Sequence, residues 1–189
     1  MICLNLGEED FDVVRSLTQL NELYIAANKL TDISFLGNLT NLRMLEMSSA
    51  VAHNGEIYFP IGFHSSGEVN VVEDFTPLSK LSQLEILRMS GSSCTDLSWA
   101  AGLTKLEEIR SGNNNVTDFT PLNNLHNLKN LYVSYNKIVD ISSMSGLVSL
   151  ESLSLEHNKV RDLTPLSGLI NLKELNLGYK RQSHIARIK

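Results

Sequence analysis

Leucine recurs along most of the chain in pairs three residues apart, and the pairs recur every 22 residues except for one interval of 42. The pairs are Leu17/Leu20, Leu39/Leu42, Leu81/Leu84, Leu103/Leu106, Leu125/Leu128, Leu147/Leu150 and Leu169/Leu172. After each pair, apolar and polar residues alternate, as around Leu131 and Val133, which is the period-two pattern of a short strand with one buried face. The chain is therefore predicted to consist of stacked copies of one short unit.

Two polar residues follow the predicted strands at fixed places. One is an asparagine, whose amide both donates and accepts, so stacked copies can satisfy backbone groups buried where the chain turns. The other is an aspartate, which comes before Ser or Thr and often proline, a pattern typical of a turn or a short 3₁₀ start. The asparagines are Asn28, Asn114, Asn136 and Asn158, and the aspartates are Asp32, Asp96, Asp118, Asp140 and Asp162.

One such unit cannot bury its own leucines, whereas stacked units bury a continuous column of them. The predicted fold is a right-handed solenoid with a parallel β-sheet on its concave face and short 3₁₀ turns on its convex face. The pattern LxxLxxLxLxxNxhxDhxxLxx resembles the leucine-rich repeat, and DLTPLSGL resembles the 22-residue class of bacterial internalin-like proteins. The resemblance covers about residues 4–178 and implies an α/β-class horseshoe, a bacterial source, and a host or cell-surface protein as partner.

We predict a single leucine-rich repeat domain over residues 1–189, with about seven to eight repeats and irregular ends. At the start, Leu4-Asn5-Leu6 is predicted to be a strand and Asp10-Phe11 its turn, without a helical cap. At the other end, Leu175-Asn176-Leu177 is predicted to be the last strand, followed by a basic, frayed tail without a cap. Ser111 occupies a strand position that is apolar in other units, so we expect a local shift to turn it outward.

The long interval carries about 20 extra residues, at about 51–73. One interpretation is an insertion in which the runs EIYFPIGF and EVNVVE form a β-hairpin at the edge of the solenoid. The other is a degenerate repeat with Val69-Asn70-Val71 as its strand, since 20 is close to 22. Insertions in repeat proteins often serve binding, so the first interpretation would supply a wall beside the concave face.

Bulk properties exclude several classes of function. A net charge of −5 with scattered basic residues argues against binding nucleic acid, which needs a concentrated basic surface. No apolar run approaches the roughly 18 residues that cross a bilayer, so membrane insertion is not expected. The start lacks the basic segment of a secretory signal, which leaves a cytoplasmic protein or a fragment of a secreted or cell-surface protein open. The oligomeric state also stays open.

No constellation typical of catalysis is present in the sequence. None of the histidines lies in a metal-binding or nucleophile motif, and no glycine-rich phosphate loop occurs. The repeated aspartates are expected to be structural, and both Cys3 and Cys94 are expected to be reduced, buried thiols. We therefore predict no enzymatic activity, no metal and no cofactor. The histidines are His53, His64, His126, His157 and His184.

Function is expected on the side chains that alternate with the buried leucines, because the stability of the repeat does not depend on their identity. Equivalent positions of neighbouring units lie about 4.8 Å apart and form columns across the concave face. Tyrosine is enriched at protein interfaces because it combines apolar area with a hydroxyl, whereas the alternative is an ordinary solvated strand surface, on which Tyr and Arg are common. The small residues Ser48, Ser90, Gly112 and Ser134 are expected to let a partner approach closely. The predicted partner-binding residues are Tyr24, Glu46, Arg88, Arg110, Tyr132, Tyr135, Glu156, His157 and Tyr179.

The leading hypothesis is a non-enzymatic module that binds a protein or peptide on the concave strand face. A second is an intracellular scaffold or regulatory subunit of an enzyme, as in the leucine-rich regulators of phosphatases. A third is a carbohydrate or small-ligand binder that uses Tyr132, Tyr135 and Tyr179. A fourth is a structural repeat without a specific partner, which predicts that changes on the strand face have no effect.

Overall fold

Short strands after each leucine pair form one parallel sheet. The computed structural model describes residues 8–26, 28–49, 51–53, 56–58, 70–178 and 185–187. The strands are β1 (Glu22–Tyr24), β2 (Met44–Glu46), β3 (Val51–His53), β4 (Glu56–Tyr58), β5 (Ile86–Arg88), β6 (Glu108–Arg110), β7 (Asn130–Tyr132), β8 (Ser152–Ser154), β9 (Glu174–Asn176) and β10 (Ile185–Arg187). In the described part, β1, β2 and β5 to β9 pair in parallel in that order, and β10 pairs with β9. The predicted parallel solenoid is confirmed.

Short 3₁₀ turns form the opposite, convex side of the solenoid. Each is preceded by an aspartate whose carboxylate accepts a hydrogen bond from the backbone N–H two residues later, as Asp118 does from Thr120 at 2.8 Å. Hydrogen bonds from the side chain and backbone of that later residue lower the pKa of the aspartates at 74, 96, 118, 140 and 162. The turns are Ser34–Asn38, Thr76–Lys80, Ser98–Ala100, Thr120–Leu122, Ser142–Gly146 and Thr164–Gly168.

The paired leucines fill the space between the strands and the turns. From Leu39 to Leu150 the pairs are at most 1% exposed, and Leu169 and Leu172 remain buried. Leu17 differs because it begins the first pair, next to the end of the stack, and 47% of its surface is exposed. The core is thus continuous along the stack, and within it the paired leucines are buried from the second pair to the last.

A ladder of asparagines closes the sharp turn after each strand. Asn136 accepts a hydrogen bond at Oδ1 from the N–H of Val116 in the preceding unit, at 3.0 Å. Its Nδ2 donates to the carbonyls of Ser111 at 2.8 Å and Val133 at 3.0 Å. Asn158 repeats the arrangement one unit later. The predicted role of these asparagines follows directly from these contacts.

Ser111 faces the ladder and does not turn outward. It is fully buried, and its hydroxyl accepts a hydrogen bond from Nδ2 of Asn114 at 3.1 Å. The expected outward shift is therefore wrong. A buried hydroxyl costs little when it is hydrogen-bonded, and the neighbouring ladder amide supplies that bond.

Asn70 joins the ladder and fixes where the extra residues lie. Its Oδ1 accepts from the N–H of Leu30 at 2.9 Å, and its Nδ2 donates to the carbonyl of Met47 at 2.7 Å. A regular spacing of 22 residues from Asn28 would place the next ladder asparagine at position 50. Asn70 takes that role instead, so residues 50–69 are the extra residues. The sheet passes directly from β2 to β5 across this interval.

The insertion contains a short antiparallel hairpin in which β3 pairs with β4. It joins Val51–His53 to Glu56–Tyr58, so the predicted pairing of EIYFPIGF with EVNVVE is not the one observed; residues 59–69 lie outside the described part. The alternative of a degenerate repeat is wrong, because Asn70 and Val71 are not in a strand and β2 pairs with β5.

A helix, not a turn, precedes the first leucine pair. Helix α1 (Glu8–Ser16) includes the Asp10-Phe11 position, so both the predicted turn and the predicted lack of a helical cap are wrong. Phe11 and Val14 lie on one helical face and pack against the core, with the Phe11 ring stacked on Phe35 at a centroid distance of 4.6 Å. This apolar face covers the beginning of the leucine column. The strand predicted at residues 4–6 lies outside the described part.

Part of the basic tail is ordered against the sheet. Strand β10 runs antiparallel to β9, with Ala186 opposite Leu175. The expectation of a frayed tail is therefore wrong over Ile185–Arg187, while residues 179–184 and 188–189 lie outside the described part. Pairing with β10 satisfies backbone groups along an edge of β9.

Candidate functional site

The strand register brings the predicted outward residues into two columns across the concave face. In the first, Arg88 pairs with Arg110 and Arg110 with Tyr132. In the second, Ile86 pairs with Glu108 and Glu108 with Asn130. The complete first column, from β1 to β9, is Tyr24, Glu46, Arg88, Arg110, Tyr132, Ser154 and Asn176, as the sequence predicted.

Two arginines from neighbouring strands meet on one glutamate. Nε of Arg88 and Nε of Arg110 each lie 2.8 Å from the same oxygen, Oε1 of Glu108. Burial opposes ionisation of Glu108, but the hydrogen bonds from Arg110 and Arg88 outweigh it, so the pKa of the carboxyl is lowered. Glu108 is therefore a carboxylate at neutral pH, and the three side chains together carry one formal positive charge.

Tyr132 completes the group on the next strand. The guanidinium carbon of Arg110 lies 4.8 Å from the centroid of the Tyr132 ring, a cation–π contact. The side chains of Arg88 and Arg110 are 30% and 36% exposed, and that of Glu108 is 14% exposed. We call Arg88, Glu108, Arg110 and Tyr132 the concave cluster. Its arginines reach solvent, while the carboxylate that orients them lies deeper.

Tyr135 and His157 form a second group just after strands β7 and β8, each directly before a ladder asparagine. Their rings are stacked with centroids 4.2 Å apart and planes 17° apart. Both residues have left-handed backbones, with φ of 56° and 54°. The equivalent positions in preceding units hold Gly91 and Asn113, residue types that tolerate this conformation well. Two rings therefore occupy positions where the backbone disfavours large side chains.

Glu156 lies beside this aromatic pair and holds the next strand. Its Oε1 is 3.9 Å from Nε2 of His157, and its Oε2 accepts a hydrogen bond from Nδ2 of Asn176 at 3.2 Å. The structure thus brings Tyr135, Glu156 and His157 together, as their positions in the repeat predicted. Tyr179 falls outside the described residues.

Two predicted contact residues lie on β1 and β2, to one side of the concave cluster. Tyr24 is 44% exposed on β1 and donates its hydroxyl to Oε2 of Glu22 at 3.1 Å. Glu46 is only 2% exposed, and its Oε1 accepts from the N–H of Ser48 at 2.9 Å, so the expectation that it is available on the surface is wrong. Burial raises the pKa of Glu46. Met44, the other outward residue of β2, is also buried.

The small residues beside the arginines bond to one another along the sheet. Ser48 Oγ accepts from the N–H of Ser90 at 3.2 Å, and Ser90 Oγ accepts from the N–H of Gly112 at the same distance. A Cβ on Gly112 would lie 3.2 Å from the carbonyl oxygen of Ser134. These residues therefore link adjacent units. Their expected second role, to let a partner approach closely, stays a prediction.

Sequence reasoning missed Glu108 as a site residue. The alternation along the strand predicts an outward position for it, but no link to Arg88 and Arg110. The signal was available, because Glu108 is a diagonal neighbour of Arg88 on the adjacent strand and lies two residues before Arg110 on the same face. Side chains of this length reach such diagonal neighbours across strands.

The described part of the chain holds no cluster of metal-binding side chains. No group of three or more His, Cys, Asp or Glu side chains there is placed to hold a metal ion. Cys94 is buried, and burial raises the pKa of its thiol to about 11, so it is protonated and unreactive at neutral pH. No described helix has the length and apolar character needed to span a membrane.

A cavity of about 490 Å³ lies on the side of the solenoid, away from the strands. Its walls include Phe75 and Trp99, whose rings stack at 6.0 Å, together with Asp74 and Asp96. Both carboxylates accept backbone hydrogen bonds at the starts of 3₁₀ turns. These polar groups are thus already engaged in the fold.

Comparisons with known proteins agree with this architecture. A family model described as "Leucine rich repeat" matches residues 109–160. The solved structure of internalin C2 from Listeria monocytogenes is 31% identical over 87% of this chain and 74% of its own, with a TM-score of 0.62. The chain belongs to the internalin-type leucine-rich repeat family. Internalin F of the same bacterium is 32% identical over 87% of this chain and 49% of its own, with a TM-score of 0.68.

The search of curated proteins gave no match. Internalin-type repeats are protein-interaction modules and are typically non-enzymatic, so the general functional class predicted from the sequence is confirmed. The bacterial, internalin-like character of the repeat sequence is confirmed as well. Such repeats generally bind protein partners.

Proposed function

We propose that this internalin-type repeat binds a protein or peptide on its concave strand face and catalyses no reaction. The observation that carries the proposal is the concave cluster, in which Arg88 and Arg110 are held by Glu108 and backed by Tyr132. This group lies on β5 to β7, the middle of the parallel sheet. The position suits a partner laid across the strands.

Preorganisation supports this role for the arginines. A free arginine loses rotamer freedom when it binds, and each ordered side chain costs about 0.5–1.5 kcal/mol. Here Glu108 fixes Nε of both guanidiniums, and the Tyr132 ring supports that of Arg110. Part of the ordering cost is thus met during folding. Tyrosine and arginine are also the side chains that dominate binding energy in most protein interfaces.

The Tyr135–His157 pair, which follows the ends of β7 and β8, also supports binding on this side of the protein. Left-handed backbone at a residue other than glycine costs on the order of 1 kcal/mol and tends to occur at functional sites. The stack of the two rings offsets part of this strain. Contact with a partner would explain why two aromatic rings occupy positions with left-handed backbone.

Affinity capture with paired variants tests the proposal. The concave variant combines Arg88→Ala, Arg110→Ala and Tyr132→Ala. The control combines Lys159→Ala and Arg161→Ala, which remove two exposed basic side chains in the segment between the ladder and the last 3₁₀ turn. Each protein is immobilised, exposed to bacterial and to animal-cell extracts, and checked for folding by circular dichroism.

We expect the parent and the control to retain a common partner and the concave variant to lose it. The reverse result, in which the control loses the partner and the concave variant keeps it, would place binding outside the strand face. The extract that supplies the partner also separates a partner from the bacterium itself from one on an animal cell.

A further inference from the structure

The charges of the concave cluster are not balanced within it. Arg88 and Arg110 share one carboxylate oxygen through their Nε–H groups, so two guanidiniums face a single carboxylate. Each guanidinium has five N–H donors in a planar fork, of which this contact uses one. About a third of each arginine side chain is exposed, so donors remain within reach of a bound molecule.

The surrounding face adds little competing charge. Along the outward positions of the seven parallel strands, Arg88 and Arg110 are the basic residues. Glu22 on β1 is two strands, or about 10 Å, from Arg88 on β5, and Glu174 on β9 is three strands, or about 14 Å, from Arg110 on β6. Both distances exceed the Debye length of about 8 Å at physiological ionic strength. Glu46, next to Arg88, is buried against the backbone of Ser48.

We infer that the partner carries an acidic side chain whose carboxylate binds between Arg88 and Arg110, opposite Glu108. This inference rests on the proposed concave binding site and names the chemistry of its partner. The added carboxylate turns an unbalanced group of two cations and one anion into a balanced group of two and two. Because guanidinium forks match carboxylate geometry, the pairing specifies orientation as well as charge. The Tyr132 ring and Ile86 flank the position and suit apolar neighbours of that acidic residue.

Selection from a displayed library of random peptides tests the inference without a known partner. Peptides that bind the parent are sequenced, and one is synthesised together with a version in which each acidic residue is replaced by its amide. Affinities are measured by fluorescence anisotropy at low and high salt. The variants are Arg88→Gln with Arg110→Gln, Glu108→Gln, Tyr132→Ala, and the control pair Lys159→Gln with Arg161→Gln.

We expect the selected peptides to be enriched in Asp or Glu. The double arginine variant should weaken binding about tenfold or more, and the amide peptide should show a similar loss on the parent. Glutamine at 88 and 110 still donates to Glu108, so this variant keeps the carboxylate hydrogen-bonded. Glu108→Gln removes the one carboxylate that competes for the arginines while keeping an acceptor, so binding should be retained or strengthened and should depend more on salt.

Two results would overturn the inference in different ways. If the peptides lose affinity with Tyr132→Ala but bind the double arginine variant and the parent equally, the concave site stands and its acidic partner does not. If no concave variant weakens any selected peptide while the control pair does, the proposed binding face fails as well.

Discussion

Individual polar side chains hold the turns of this protein where backbone groups would otherwise be buried without partners. Asn136 shows the principle, because one amide satisfies groups in its own unit and in the preceding unit. The surface residues obey a different rule: Glu108 orients two arginines through one oxygen. The same kind of contact therefore stabilises the fold at the ladder and shapes the proposed binding site on the strands.

We expect Asn136→Ala to lower the free energy of unfolding by about 2–4 kcal/mol. The substitution leaves the N–H of Val116 and the carbonyl of Ser111 without their ladder partner, and each buried unsatisfied group costs roughly 1–3 kcal/mol. Urea unfolding followed by Trp99 fluorescence measures the change. The matched control is Asn115→Ala, an exposed position next to the ladder, which should change stability by less than about 0.5 kcal/mol. Equal effects of the two substitutions would contradict the ladder account.

Elements of this fold are short, so their positions follow from periodicity more than from propensity. The 22-residue spacing predicted the leucine columns, the strand register and the aspartate-capped turns, because each unit repeats the contacts of its neighbours. It did not predict α1, where Phe11 and Val14 form an apolar helical face outside the repeat. Nor could it predict the burial of Glu46, since burial depends on the whole surroundings of β2 and not on its own unit.

The periodicity of the sequence likewise did not predict the contact of Arg88 and Arg110 with Glu108. Periodicity gives the strand and the face of each residue, but not which diagonal partner a long side chain chooses. That choice depends on rotamers and on competing acceptors, as the separate bond of Glu46 to Ser48 illustrates. The location of the site was thus predictable, whereas its internal geometry required the structure.

The aspartate caps make the free energy of unfolding depend on pH. Their pKa values are lowered in the folded state, so the ionised caps stabilise the protein above the unfolded pKa of about 3.9, and this contribution is lost as pH falls through the lowered folded values. The urea midpoint should therefore drop as pH is lowered below about 4. The double variant Asp118→Asn with Asp140→Asn retains acceptors without titrating and should reduce that slope. An unchanged slope would show that these caps do not control acid unfolding.

Two equivalent glycines provide a matched test of how closely the 3₁₀ turns stack. A Cβ at Gly146 would lie 2.7 Å from the carbonyl oxygen of Asn123, whereas a Cβ at Gly168 would meet nothing within 4 Å. Gly146→Ala should destabilise the protein by about 1–3 kcal/mol through overpacking. Gly168→Ala should be neutral or stabilise it by up to about 1 kcal/mol, because alanine restricts the unfolded chain. Thermal unfolding of both variants would contradict the packing account if their midpoints matched.

At the scale of the whole molecule, the groups that maintain the stack differ from those that we propose for recognition. The leucine column, the ladder and the capped turns maintain the stack, while Arg88 and Arg110 on the strand face reach solvent. The chain carries a net charge of −5, yet Arg88 and Arg110 lie together near the middle of the concave face. A stable frame with a distinct local chemistry is what an interaction module requires, and the internalin-type family provides that frame.

Site-specific photo-crosslinking would test the claim that the concave face binds the partner most directly. A photoreactive phenylalanine analogue is placed at Tyr132 in one protein and at Val139, which is 62% exposed outside the strand sheet, in another. Both proteins are irradiated in the extract that supplies the partner. We expect a covalent adduct of higher mass from position 132 and none from position 139. An adduct from position 139 alone would contradict it.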